Sequence, residues 1–171
     1  MPDVFDTGKV AAVADERTTL DAFLDYYRHA VTAKVRGVSD EDARRRLVPS
    51  ETTLASLIKH LARVEMSWFE HRLAQTPLEQ LPYLRRVLEE HDGDFRVEPD
   101  ETVETLVARY DEQCARSREI AAGKQLDDVV PHPVLGDVTM RWIMVHMIEE
   151  TARHAGHADI LREQIDGKTG D

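Results

Sequence analysis

Cysteine is nearly absent from the 171-residue sequence, in which Cys114 is the only residue of this type. A single cysteine excludes an internal disulfide framework and a cysteine-rich zinc site, and it fits a reducing cytosol. Long apolar runs are absent too, since no stretch approaches the ~18 consecutive apolar residues of a membrane span. Residues 1–10 lack the basic segment and following apolar run of a secretory signal. We therefore expect a cytoplasmic protein that does not enter a membrane.

Positive charge is scarce relative to negative charge. The chain has 22 Lys and Arg residues against 33 Asp and Glu residues, which gives a formal net charge of -11. Nucleic acids and acidic membrane surfaces are themselves negative, so this charge argues against both as partners. The composition favours small molecules or another protein instead.

Alternation of apolar and polar residues, the mark of a half-buried strand, is also missing, and helical spacing of apolar residues dominates. The capping residues and the apolar spacing predict four amphipathic helices, at about residues 15–35, 50–74, 100–123 and 139–165. Four such helices indicate an all-α fold, a four-helix bundle. We expect one domain over residues 1–171, with a loose N-terminal segment at 1–14 and a polar tail at 166–171.

The remaining segments predict shorter elements. Ser39 precedes a short connecting helix at about 40–46, and Asp100 is the predicted cap of the third long helix. Residues 75–99 are rich in proline and charge, which predicts a surface excursion with a short helix near 83–91. Residues 126–137 contain two prolines and a glycine, and we expect an irregular link there with room for a short extended turn. Trp68 and Trp142 keep helical spacing with aliphatic residues, which predicts a place in the core or in a pocket wall.

One stripe on the fourth helix combines apolar residues with metal-ligand types. Its members are separated by 4, 3, 4, 3 and 4 positions and are Ile143, Met147, Glu150, His154, His157 and Leu161. Because the stripe begins and ends with apolar residues, it should face the core. A carboxylate and imidazoles buried there without partners would cost several kcal/mol (order of magnitude), and a bound divalent cation would remove that cost.

The second helix offers a third ligand. His60 interrupts an apolar stripe between Leu57 and Val64. At 1.5 Å rise per residue it lies roughly 13 to 15 Å into its helix, and Glu150 and His154 lie roughly 16 to 22 Å into theirs. All three are therefore expected at mid-bundle, whether the two helices run parallel or antiparallel.

Histidine nitrogens with one carboxylate suit zinc, and also iron, nickel or manganese. Three protein ligands would leave a coordination position open for a thiol or for water. His157 is open to three roles: a fourth ligand, an outer-shell group or a base. His146 is a lower-ranked substitute for His157, because its own stripe is more polar.

Three strings of the sequence carry a resemblance to a known family: DERTTL at 15–20, LIKHLARVE at 57–65 and HMIEETARHAGHAD at 146–159. With them the chain resembles the DinB-like superfamily of bacterial four-helix bundles, in particular an actinobacterial branch of unknown function. The resemblance implies a divalent metal, often zinc or nickel, held by His60, Glu150 and His154. Most relatives have histidine where this chain has Glu150, a departure that resembles the mycothiol-dependent maleylpyruvate isomerases, whose N-terminal domain is related.

The same resemblance implies an activity. Relatives are often transferases that use a low-molecular-weight thiol such as mycothiol or bacillithiol. The isomerases carry a further C-terminal domain that contributes to their active site, so we do not expect isomerase activity. We expect a metal-dependent enzyme that transfers a small thiol to an electrophile, with His157 as orienting group or proton carrier. The alternatives are a metal-dependent hydrolase, a non-catalytic metal-binding stress protein that forms a homodimer, and a metal-free bundle.

Overall fold

The computed structural model describes residues 12–90, 93 and 95–169 and is mostly helical, in agreement with the all-α class. Its helices are α1 Glu16–Val35, α2 Asp40–Ala43, α3 Leu54–Glu65, α4 Pro82–Glu89, α5 Val103–Ala122 and α6 Met140–Asp166. Helix α3 continues as a π-helix, Met66–Leu73, and a 3-10 turn spans Leu78–Gln80. The loose segment expected at 1–14 falls outside the described residues up to position 11, as do positions 170 and 171 of the polar tail.

Side-chain caps set the starts of the long helices. Asp15 accepts a hydrogen bond from the Thr18 amide at 3.0 Å at the start of α1, and Thr139 caps α6. The predicted Asp100 cap of α5 is wrong. The cap is Thr102, because its hydroxyl accepts from the Thr105 amide at 3.2 Å while the Thr105 hydroxyl accepts from the Thr102 amide at 2.9 Å.

The segment expected at 126–137 to be an irregular link with a short extended turn forms a regular β-hairpin. Strand β1, Val129–His132, pairs antiparallel with β2, Gly136–Thr139. Gly136 has φ +79°, a conformation that glycine adopts without steric cost. Each strand has only four residues, too few to display a clear alternation, and Pro131 in β1 further masks the pattern. Val130 and Val138 pack the hairpin against the helices.

Two clusters of buried apolar side chains form the core. The first, the lower core, joins α1, α2, α3, α5 and the C-terminal half of α6; its members are Val31, Val35, Ala43, Leu54, Ala55, Leu57, Ile58, Leu61, Ala62, Leu106, Val107, Tyr110, Cys114, Ala155, Ala158 and Leu161. The second, the upper core, joins the hairpin, the π-helix and parts of α1, α3, α5 and α6; its members are Leu24, Val64, Phe69, Leu73, Ala121, Val130, Val138, Met140, Ile143, Met144 and Met147. Helices α1, α3, α5 and α6 thus each contribute side chains to both clusters.

A buried ion pair lies where the two core clusters meet. Arg28 of α1 donates from Nε and Nη2 to the two carboxylate oxygens of Glu65 of α3, at 2.8 and 2.7 Å. Glu65 is fully buried and Arg28 is 5% exposed. Burial alone would lower the pKa of Arg28, but the charge and hydrogen bonds of Glu65 raise it above its usual value. This fork-to-fork geometry ties α1 to α3 through the middle of the molecule.

Ring contacts fix the relative direction of α3 and α6. The rings of His60 and His154 are 4.8 Å apart between centroids, while Trp68, eight residues after His60, lies 5.4 Å from Trp142. As the chain advances from His60 to Trp68, its neighbours on α6 move back from His154 to Trp142. The two helices therefore run antiparallel, which depth along each helix had left open. Among the described residues, no helix has the length and apolar character needed to cross a membrane.

Candidate metal centre

The candidate ligands come from two helices whose starts are fixed by caps. His60 lies in the middle of α3, which begins after the Thr53 capping box, and Glu150 and His154 lie one turn apart on α6. A separation of four residues places two side chains above one another on one helix face. The antiparallel packing then brings His60 against this pair.

The three predicted ligands converge. The Nε2 atom of His60 lies 3.1 Å from Glu150 Oε1, and the Nε2 atom of His154 lies 3.3 Å from the same oxygen. One ligand atom from each residue can be chosen so that all three lie within 4.8 Å of one another. Among the described residues, this is the one group of three or more histidine, cysteine, aspartate and glutamate side chains with such spacing.

Burial and charge both distinguish Glu150 from a surface carboxylate. Its side chain is 15% exposed, and those of His60 and His154 are 9% and 12% exposed. Hydrogen bonds from His154 and then His60 hold the pKa of Glu150 well below its usual range, against the opposing effect of burial. The Glu150 carboxylate is therefore ionised at neutral pH, the form that can coordinate a cation.

His157 lies beside the triad but outside it. Its Nδ1 atom is 3.3 Å from Nδ1 of His154, and its residue is exposed. Partial loss of hydrating water, together with the charges of His154 and Arg153, lowers the pKa of His157 below its usual value. A neutral His157 can accept a hydrogen bond from His154 Nδ1–H, which would leave Nε2 of His154 free for a metal.

His146, the lower-ranked alternative, is not one of the three converging side chains and belongs to a group of aromatic rings. Its imidazole stacks on Trp142 with centroids 5.2 Å apart and meets Trp68 at 4.7 Å. Of the other histidines, His29 contacts the backbone oxygen of Asp25 at 2.7 Å. His91 falls outside the described residues.

Phe95 forms a wall of the site that the sequence did not reveal. Its ring centroid lies 4.7 Å from that of His60. Next to His60, the buried Lys59 donates from Nζ to the Arg96 backbone oxygen at 2.6 Å and to Glu101 Oε2 at 2.7 Å. These bonds hold the segment that carries Phe95 against α3. The spacing of residues 75–99 gave no signal for this contact, because it depends on a loop returning to α3.

Similarity to known proteins supports the fold independently of the site. A solved structure described as the conserved protein of locus from Enterococcus faecalis is similar, with a TM-score of 0.70, 91% of this chain and 100% of that chain covered, and 16% sequence identity. At this identity the similarity shows the fold alone. No curated protein matches the sequence significantly.

A family model provides the stronger comparison. The model described as mycothiol-S-transferase matches residues 19–167, a span that includes the three converging side chains and His157. The match covers most of the chain and agrees with the resemblance carried by the strings at 57–65 and 146–159. The chain belongs to the mycothiol-S-transferase family, a DinB-like family.

Proposed function

We propose that this DinB-like four-helix bundle is a cytoplasmic divalent-metal-dependent S-transferase that joins a mycothiol-type thiol to an electrophilic small molecule. His60, Glu150 and His154 would hold the metal, with zinc as the first candidate and nickel, iron and manganese as further ones. The observation that carries the proposal is the convergence of these three side chains from two helices on one point. Membership in the mycothiol-S-transferase family supports the choice of thiol.

The donor set fits such a cation. Ligands about 2.0–2.2 Å from a tetrahedral zinc are separated from one another by roughly 3.3 Å. The distances from Glu150 Oε1 to His60 Nε2 and His154 Nε2, 3.1 and 3.3 Å, have this size. Two neutral imidazoles and one carboxylate would leave a divalent site with one net positive charge, which suits an anionic ligand such as a thiolate.

The transfer requires a sulfur nucleophile and a leaving group. A divalent cation held by the triad would supply positive charge that favours the thiolate form of a nearby thiol. The thiol proton passes to solvent, the sulfur forms a bond to the electrophilic carbon, and the leaving group departs with the electron pair of its broken bond. Glu150 keeps both imidazoles turned toward one point, and His157 orients His154 through the Nδ1 atoms.

Metal content and conjugation together test this proposal. Native, untagged protein should contain close to one equivalent of a divalent metal by elemental mass spectrometry, and it should consume mycothiol in the presence of an electrophile. His154→Ala should lose most of the metal and the activity, whereas His29→Ala, an exposed histidine on α1, should keep both. Full metal retention by His154→Ala would refute the ligand assignment. Conversion of an electrophile without thiol consumption would indicate a hydrolase, and metal without any turnover would indicate a binding protein.

A further inference from the structure

Four aromatic rings form a cluster, here called the ring cluster, on the surface above the metal centre. Trp68 stacks on His132 of the hairpin at 5.3 Å with an interplanar angle of 10°, and it meets Trp142 at 5.4 Å and His146 at 4.7 Å. Trp142 in turn stacks on His146 at 5.2 Å. Three separate elements, the π-helix, β1 and α6, contribute these rings.

The ring cluster lies close to the triad along both helices that form it. His146 precedes Glu150 by one helical turn, about 6 Å of rise, and Trp142 precedes it by two turns, about 12 Å. On the facing helix, Trp68 follows His60 by eight residues. Because α3 and α6 are antiparallel, the two sites occupy successive levels of the same helix pair. The axial separation of about 6 to 12 Å is comparable to the length of a small-molecule ligand.

Part of the ring cluster is open to solvent. Trp142 is 40% exposed, and the side chain of His146 is 26% exposed. An indole that served only the core would be covered on both faces, as the buried Phe69 of the upper core is. Indole rings are electron-rich and bind planar, electron-poor rings by offset stacking. The exposed indole surface thus fits a flat aromatic ligand better than an aliphatic one.

We propose that the ring cluster binds the electrophile of the transfer reaction, and that this electrophile is a planar, electron-poor aromatic compound whose reactive carbon extends toward the metal centre. This inference rests on the proposed function and specifies its second substrate. The thiol would then approach from the triad, and Trp142 would set electrophile specificity. With 1-chloro-2,4-dinitrobenzene as electrophile, the sulfur bonds to the ring carbon that carries chlorine, the C–Cl bond breaks, chloride leaves with the electron pair, and the thiol proton passes to solvent.

Binding is tested without any turnover. The chain has two tryptophans, Trp68 and Trp142, and both lie in the ring cluster, so intrinsic fluorescence reports on it directly. The probe is 1,3-dinitrobenzene, which lacks a leaving group. It should quench fluorescence saturably, and Trp142→Leu should raise its dissociation constant about two- to tenfold, the loss expected for one aromatic stack. Trp142→Phe, which keeps a ring, should bind nearly as tightly as the unmodified protein. Phe23→Ala, which removes a 42% exposed ring on α1, is the matched control and should not change binding.

Kinetics then separate recognition from structural support. At saturating mycothiol, Trp142→Leu should raise KM for 1-chloro-2,4-dinitrobenzene about two- to tenfold, as in the binding experiment, and leave kcat unchanged. KM and kcat with iodoacetamide as electrophile should not change. Equal losses for the aromatic and the aliphatic electrophile would overturn the inference, as would unsaturable quenching by 1,3-dinitrobenzene. If no thiol is transferred to either compound, the proposed function fails, and the fluorescence titration still decides whether the ring cluster binds an aromatic ring.

Discussion

Two groups of largely buried polar side chains join α3 to another helix, and they differ in how completely their hydrogen-bonding atoms are paired. Arg28 and Glu65 form a closed pair in which both carboxylate oxygens accept from one guanidinium. At the candidate metal centre a single oxygen of Glu150 accepts from two imidazoles, and these side chains are 9 to 15% exposed. A guanidinium keeps its protons at all relevant pH values, whereas an imidazole N–H can be exchanged for a metal.

This difference distinguishes a pair that serves to join two helices from a group of side chains that could hold a metal ion. The Arg28–Glu65 pair has no vacant donor or acceptor directed between its members, so it ties helices together and offers no ligand site. The triad likewise pairs a carboxylate with nitrogen donors, but its imidazole nitrogens can exchange a proton for a metal ion. A buried carboxylate alone therefore does not indicate a metal site. The type of nitrogen group that faces the carboxylate, guanidinium or imidazole, is the informative feature.

The largest expected effect comes from breaking the closed pair. Arg28→Met leaves the fully buried Glu65 carboxylate without a partner, and we expect the free energy of unfolding to fall by about 3–5 kcal/mol. Urea denaturation of the metal-free protein measures this loss. The double variant Arg28→Met/Glu65→Leu should recover most of it, since replacing both charges removes the uncompensated carboxylate. A double variant no more stable than Arg28→Met would show that the penalty has another origin.

A smaller effect is expected from the neighbour of the triad. His157→Ala removes the acceptor beside His154 Nδ1, and we expect the metal dissociation constant to rise about 10- to 100-fold, as for other outer-shell partners. Competition with a chelating dye measures the constant. His157→Asn, whose side-chain oxygen can replace the acceptor, should lose less affinity. An unchanged constant in His157→Ala would exclude the orienting role.

The smallest expected effect concerns acid stability without metal. Because the folded-state pKa of Glu150 is depressed, its stabilisation is present above the unfolded-state pKa of about 4.3 and is lost as pH falls below it. The difference in unfolding free energy between the unmodified protein and Glu150→Gln should therefore shrink from about pH 5 downward. Glu149→Gln, at an exposed neighbouring position, is the control. A difference that stays constant with pH would contradict the assignment of ionised Glu150.

Local signals explain which parts of the fold could be predicted. The helix starts predicted at about 15 and 139 depend on neighbouring residues, and both agree with the caps Asp15 and Thr139. Gly167 has φ +75°, as a glycine after a helix end often does. The hairpin and the Phe95 wall depend on distant contacts, which spacing along one helix does not contain.

One sequence pattern occurs both at a candidate ligand and in a buried ion pair. A polar residue interrupting an apolar helical stripe identified His60, and the converging ligands agree with it. The same rule applies to Arg28, which lies between Leu24 and Val31 on one stripe of α1. Arginine is more often a surface residue, so this pattern alone does not predict that Arg28 is buried. The ring cluster needed the direction of α3 against α6, which no single stripe supplies.

The π-helix after α3 has a consequence for insertions and deletions. A π-helical segment accommodates an extra residue relative to regular helix, so removing one residue between Met66 and Leu73 would return that stretch to ordinary helical winding. His60 would keep its orientation toward α6, because the deletion lies after Leu54–Glu65 and leaves that helix unchanged. The same deletion inside Leu54–Glu65 would turn part of α3 by about 100° and misalign its two halves. Length variation among homologues is therefore expected in the π-helix rather than in Leu54–Glu65, because a residue gained or lost there leaves His60 in place and moves only the side chains that follow, such as Trp68.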